Sequence, residues 1–105
     1  MKTKLLKIIN HYGIIHQQRK LQEEVFELQE AIIRYEDMLE ANIVYGDDKF
    51  IIDEFKCSIE EEMSDVCNLL MEICNYYDLS IRNITKTMEY KLERQITRVE
   101  NEGNN

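Results

Sequence analysis

An apolar seam that advances by threes and fours constrains this chain more than any other feature. Ile14, Leu21, Val25, Leu28, Ile32, Tyr35 and Leu39 fall on that spacing, which marks one face of an α-helix and not the period-two alternation of a strand. The seam predicts a helix from about Ile14 to Ala41, too long to do anything but lie lengthwise along a neighbour. None of the 105 residues is Pro, so nothing forces such helices to kink.

The rest of the chain supplies neighbours. Leu5, Leu6, Ile8, Ile9 and Tyr12 predict a short helix over residues 4–12, ended or bent by Gly13. Residues 42–49, with Gly46, Asp47 and Asp48, read as a connection. The next helix runs to about Tyr77 on Ile59, Met63, Val66, Leu69, Leu70 and Ile73; it starts either at a cap on Asp47 or Asp48, or at Ser58 with Glu61 in a capping box. Asp78, Leu79 and Ser80 turn the chain. Ser80 then caps a last helix to about Glu100 whose apolar residues are Ile81, Ile84, Met88, Leu92, Ile96 and Val99.

The expectation is a single all-α domain over residues 1–100, an antiparallel bundle of long helices, with a frayed tail at residues 101–105. Three principal helices leave one face uncovered, so a homodimer or homotetramer is expected to complete the core.

With 21 acids against 13 Lys plus Arg, the formal charge is −8. That balance argues against a nucleic-acid polymer or an anionic membrane as the main ligand. A nucleotide remains compatible, provided that metal ions offset the repulsion. No apolar run approaches the roughly 20 residues needed to span a bilayer, and the reading is a cytoplasmic protein. Cys57, Cys67 and Cys74 include no C-x-x-C pair and are expected as small buried hydrophobes in a reducing compartment.

The chemistry is carried by acids set into the apolar faces. Glu62 points almost the same way as Leu69 seven residues on, so it leans toward the core, with Asp65 one turn further along. Glu24 and Glu27 repeat the arrangement at the edge of the Leu21, Val25, Leu28 seam. A buried lone carboxylate costs several kcal/mol, and two such pairs facing each other across a groove would offer oxygen ligands to Mg²⁺. One E-x-x-E pair on a helix is commonplace; two pairs, each edging its own apolar stripe, are the functional signal. Solvated rims with helix-stabilising charge pairs are the bland alternative.

Glu23-Glu24-x-x-Glu27 followed by Glu61-Glu62-x-x-Asp65 resembles the EExxE and ExxD motifs of the MazG-like, all-α nucleoside triphosphate pyrophosphohydrolases. Gly13, Gln17 or Gln18, and Leu21 precede the first motif as in that family, and Lys91-Leu92-Glu93-Arg94 is similar to its C-terminal basic motif. The resemblance implies that Glu24, Glu27, Glu62 and Asp65 hold Mg²⁺, with Mn²⁺ as a substitute, and that water cleaves a nucleoside triphosphate between its α and β phosphates, giving the monophosphate and pyrophosphate. House-cleaning of the nucleotide pool is the role it implies. Lys91 and Arg94 would hold phosphate oxygens, with Arg98 on the same strip equally read as a salt-bridge residue. Glu23 and Glu61 are lesser candidates for a supporting or base role.

Glu89 stands two residues before Lys91, where the family often has Asn, a departure that bears on nucleotide recognition. Asn68 could contact sugar or phosphate, and Tyr12, His16 or Gln17 could meet a base; packing and interhelical hydrogen bonds are the alternatives for each. His11 and His16 share no helical face, which speaks against a two-His metal site. Tyr76 and Tyr77 are expected in the core or at a subunit interface. Two other readings of the whole chain stand beside the hydrolase: a relative of the phosphoribosyl-ATP pyrophosphatases, and a non-catalytic helical interaction protein.

Overall fold

A computed structural model describes residues 1–45 and 49–103. The described residues form four α-helices: α1 (Lys2–Tyr12), α2 (Ile14–Tyr45), α3 (Lys49–Tyr76) and α4 (Ile81–Gly103). Helix α2 is thus longer than its apolar seam predicts, because Asn42–Tyr45 continue it. The expected turn at Gly46–Asp48, the Asp47 and Asp48 caps and the last two tail residues lie outside the described residues. The rest of the tail, Asn101–Gly103, continues α4.

Gly13 separates α1 from α2 as expected, at a φ of 87°, a left-handed value that costs a residue with a Cβ about 1–2 kcal/mol. Its N–H donates to the Ile9 carbonyl at 2.8 Å. Ser58 does not start a helix. It sits inside α3, and its hydroxyl donates back to the Glu54 carbonyl at 3.4 Å, the use a serine finds in a helix interior.

The α3–α4 turn is a Schellman motif. Asp78 takes the left-handed position at φ 52°, its N–H donates to the Asn75 carbonyl at 3.3 Å, and the Leu79 N–H reaches the Cys74 carbonyl at 2.9 Å. Ser80 then caps α4 as predicted, its Oγ accepting from the Asn83 N–H at 3.1 Å.

Helices α2 and α3 make the main packing interface, and α1 lies against α3 and, less extensively, α2. Gln17, Glu24 and Ala31 are the buried positions of α2 among the described residues. At 100° per residue they are centred about 60° round the helix from the mean of the predicted seam, which explains why Val25 and Ile32, at the far side of that seam, stay exposed. On α3, Phe55, Ile59, Glu62, Val66, Leu69 and Ile73 alternate by four and three and all turn inward. Cys57 and Cys67 are exposed and Cys74 half-buried, so they are not the buried hydrophobes expected: the packed side of α3 is narrower than its apolar content. Tyr76 and Tyr77 are half-exposed and not core residues.

Helix α4 has no buried residue and makes no packing interface comparable to the others. Its six apolar positions are 39–63% exposed. The radius of gyration is 18.4 Å, against about 13 Å for a compact chain of this length. The accessible surface is 8748 Å², roughly 2,500 Å² above the scaling for a folded monomer of this mass. No helix among the described residues is long and apolar enough to cross a membrane.

Candidate metal and nucleotide site

Packing α2 on α3 brings one carboxylate oxygen from each of Glu24, Glu62 and Asp65 within 4.8 Å of one another. Glu24 is 8% exposed, because its place between Gln17 and Ala31 turns it into the interface. Lys20, one turn earlier, reaches Glu24 Oε1 at 3.6 Å. Glu24 Oε2 and Glu62 Oε2 are buried with no hydrogen-bond partner. Burial above all pushes the Glu24 carboxyl above its ordinary 4.5, helped by the hydrogen bond and charge of neighbouring Glu27 and by the charge of Asp65, with Lys20 opposing. Glu27 itself is exposed and contributes no oxygen to the three-acid cluster.

These residues fit a hard divalent cation. Two orphaned carboxyl oxygens stand where acidic groups crowd, an arrangement that a cation relieves directly.

A cleft of about 460 Å³ adjoins the cluster. Ile8 and Tyr12 of α1, His16, Gln17, Lys20 and Glu24 of α2, and Asp65, Asn68, Leu69 and Glu72 of α3 line it. The Tyr12 and His16 rings stack at 5.0 Å and 15°. Gln17, buried, donates through Nε2 to Glu72 Oε1 at 2.8 Å. A hollow of about 510 Å³ near the start of α3 is lined by α3 alone, from Phe50 to Glu61; a furrow on one helix brings no groups together, so the three-helix cleft is the better site.

The fold therefore gathers Gln17, Glu24, Glu62, Asp65 and Asn68, with Glu27 beside Glu24. It does not bring Lys91 and Arg94 to them: with Gln95 and Arg98 these border a small hollow on α4 itself. Nor do Lys91 and Arg98 form ion pairs among the described residues, while Arg94 lies 5.9 Å from the Tyr90 ring. Glu23 and Glu61 are exposed, outside the cleft.

Lys20 and Glu72 are polar cleft residues that sequence reasoning missed, and Glu72 had a signal. Its signal was the seven-residue step from Asp65, which places both within about 20° on α3. Comparisons with protein-family models, with curated proteins and with solved structures find no match to this chain.

Proposed function

We propose that this chain is a Mg²⁺-dependent nucleoside triphosphate pyrophosphohydrolase, built as an antiparallel helical bundle and completed by a second copy of itself. The observation that carries the reading is the pair of buried, partnerless oxygens on Glu24 and Glu62, beside Asp65 and at the edge of a cleft with a stacked aromatic pair. The meeting of Gln17 with Glu72 and of Glu24 with Glu62 and Asp65 supports antiparallel helices, since the pairing descends on one as it ascends on the other.

Glu24, Glu62 and Asp65 hold the metal, with Glu27 at the exposed side as the fourth acid. The cation supplies charge neutralisation for the triphosphate and lowers the pKa of nearby water. A carboxylate of the cluster takes the proton as the water oxygen bonds to phosphorus; the bridging P–O bond breaks and pyrophosphate leaves. Asn68 lies along the cleft for sugar or phosphate, and Tyr12 and His16 offer a ring face to the base. Lys91 and Arg94 join only through assembly, because α4 stands off its own body. The surplus surface of roughly 2,500 Å² per chain is of the size that obligate interfaces bury.

The exposed stripe of α4 also favours a second reading, a non-catalytic helical interaction protein. Incubation with a panel of dNTPs and Mg²⁺, followed by a pyrophosphate assay, separates the two. The hydrolase releases pyrophosphate, and Glu62→Gln lowers turnover at least about a hundredfold with the circular dichroism spectrum retained, as loss of several kcal/mol of charge stabilisation requires. No turnover of any dNTP, together with no Mg²⁺-dependent rise in Tm, would leave the scaffold.

A further inference from the structure

Beyond the acid cluster the cleft ends on a buried polar pair for which phosphate chemistry has no use. Gln17 and Glu72 are 2% and 3% exposed. Gln17 Oε1 lies 2.7 Å from His16 Nδ1, and its Nε2 donates to Glu72 Oε1. A carboxylate oxygen only accepts, so Gln17 must turn its amide nitrogen to Glu72 and its carbonyl to His16; that in turn makes Nδ1 the protonated ring nitrogen of His16. The relay therefore runs one way, from imidazole to amide to carboxylate.

Its end keeps acceptor capacity beside the cleft. Glu72 accepts this one hydrogen bond, and among the described residues neither ion pair involves it. A carboxylate so deep ordinarily carries further donors or a cation. What Glu72 still offers to the cleft is acceptor capacity alone, so a ligand that satisfies it must bring N–H or O–H groups.

Its position defines which part of a ligand it meets. Asp65, Asn68 and Glu72 follow at i, i+3 and i+7 along one side of α3. Glu72 is therefore about 10 Å along the axis from Asp65, an interval that a nucleotide spans between its 5′-phosphate and the far edge of its base. The Tyr12–His16 stack stands at the same cleft and supplies a flat face for that base.

We propose that Glu72, held by Gln17, reads the base of the bound nucleotide and selects guanine over thymine and uracil. This rests on the nucleotide-hydrolase reading above. Guanine presents a ring N–H and an amino group side by side on its Watson–Crick edge, two donors for one carboxylate. Thymine and uracil present a single N–H between two carbonyl oxygens, which the carboxylate repels. Adenine and cytosine place their amino group beside an acceptor nitrogen and match one oxygen only.

The test is titration calorimetry of the full chain in Mg²⁺ with the α,β-imido analogues of dGTP, dITP and dTTP, which bind without turning over. The dGTP analogue is expected to bind about tenfold or more tighter than the dTTP analogue, as for a site whose buried acceptor is left unpaired by the wrong ligand. The dITP analogue, which lacks the amino donor, falls between them. Glu72→Gln weakens the dGTP analogue selectively and closes most of the gap, with the Mg²⁺-dependent rise in Tm unchanged. Equal affinity for the three analogues, tighter binding of the dTTP analogue, or no binding by any of them overturns the proposal, and none of these outcomes needs a variant to fold. A parallel pyrophosphate assay with dGTP and dTTP keeps the two readings apart. Guanine preference in binding without turnover sinks the hydrolase and leaves the base reader; turnover of both at equal kcat/KM sinks the base reader alone.

Discussion

The α2–α3 body and α4 are built from the same local signals and end differently. Both have three-and-four apolar spacing, and both are fully helical where described. Yet α2 buries Gln17, Glu24 and Ala31, two of them polar, whereas α4 buries nothing and leaves its apolar stripe exposed. Helix α4 is well satisfied as a helix: Ser80 caps it, and the hydroxyls of Thr85, Thr87 and Thr97 donate to the Ile81, Asn83 and Glu93 carbonyls at 2.8–3.1 Å. The contrast teaches that apolar periodicity specifies a helix and a side, but not whether one chain contains what covers that side. It also separates two uses of burial. In the body, burial falls on Glu24 and Glu72 as well as on apolar groups; on α4 the apolar side chains stay exposed.

The comparison breaks most visibly if α4 is an interface. Leu92→Asp with Ile96→Asp places charges on its stripe, where each buried Leu or Ile contributes about 1.5–3 kcal/mol. In light scattering after size exclusion the wild type is expected as a dimer or larger and the double variant as a monomer. An unchanged mass for the double variant would show that α4 is free in solution and that the body alone is the assembled unit.

A smaller effect tests the body. Because the Glu24 carboxyl is raised above 4.5 in the fold, its contribution to stability is fully present below that value and is lost as pH rises through the folded pKa. Metal-free protein should therefore lose Tm from this group on going from acid to neutral pH, and Glu24→Gln should flatten that part of the profile and raise the metal-free Tm at neutral pH by a few degrees. Saturating Mg²⁺ should reverse the order. At a hundred times its Kd it adds about 2.7 kcal/mol to the wild type, and Glu24→Gln forfeits most of it. A Glu24→Gln profile parallel to the wild type at every pH, with and without Mg²⁺, would refute the account of the cluster.

The smallest effect returns to α4. Ser80→Ala removes its cap, at about 1 kcal/mol. If α4 is independent of the body in the free chain, hydrogen exchange should quicken in its first turns and leave α2 and α3 unchanged. Equal quickening throughout would mean that the two regions unfold together.

Much of this was legible in the sequence. Gly13, Ser80 and the three-and-four seams act within a few residues of themselves, so the helices and two of their boundaries follow from local rules. Glu24, Glu62 and Asp65 were legible because each sits on or beside an apolar face. Of the two starts that the sequence leaves open for α3, the one at Ser58 fails because a capping-box pattern inside a strong helix loses to back-bonding on Glu54. The exposure of Cys57 and Cys67, and the separation of Lys91 and Arg94 from the cleft, depend on which arc of each helix is covered.

By itself the sequence determined the all-α class, the identity of the helices and the acids set into their faces, since hydrogen-bonding period and side-chain direction are properties of one helix at a time. Only the tertiary structure decided that Gln17, Glu24 and Ala31, and not Val25 and Ile32, lie deepest on α2, that Glu72 closes the cleft, and that α4 stands apart. The reason is physical: the apolar arc of a helix is wider than the strip one neighbour can cover, and the crossing of two helices, set by side chains from both, selects the strip.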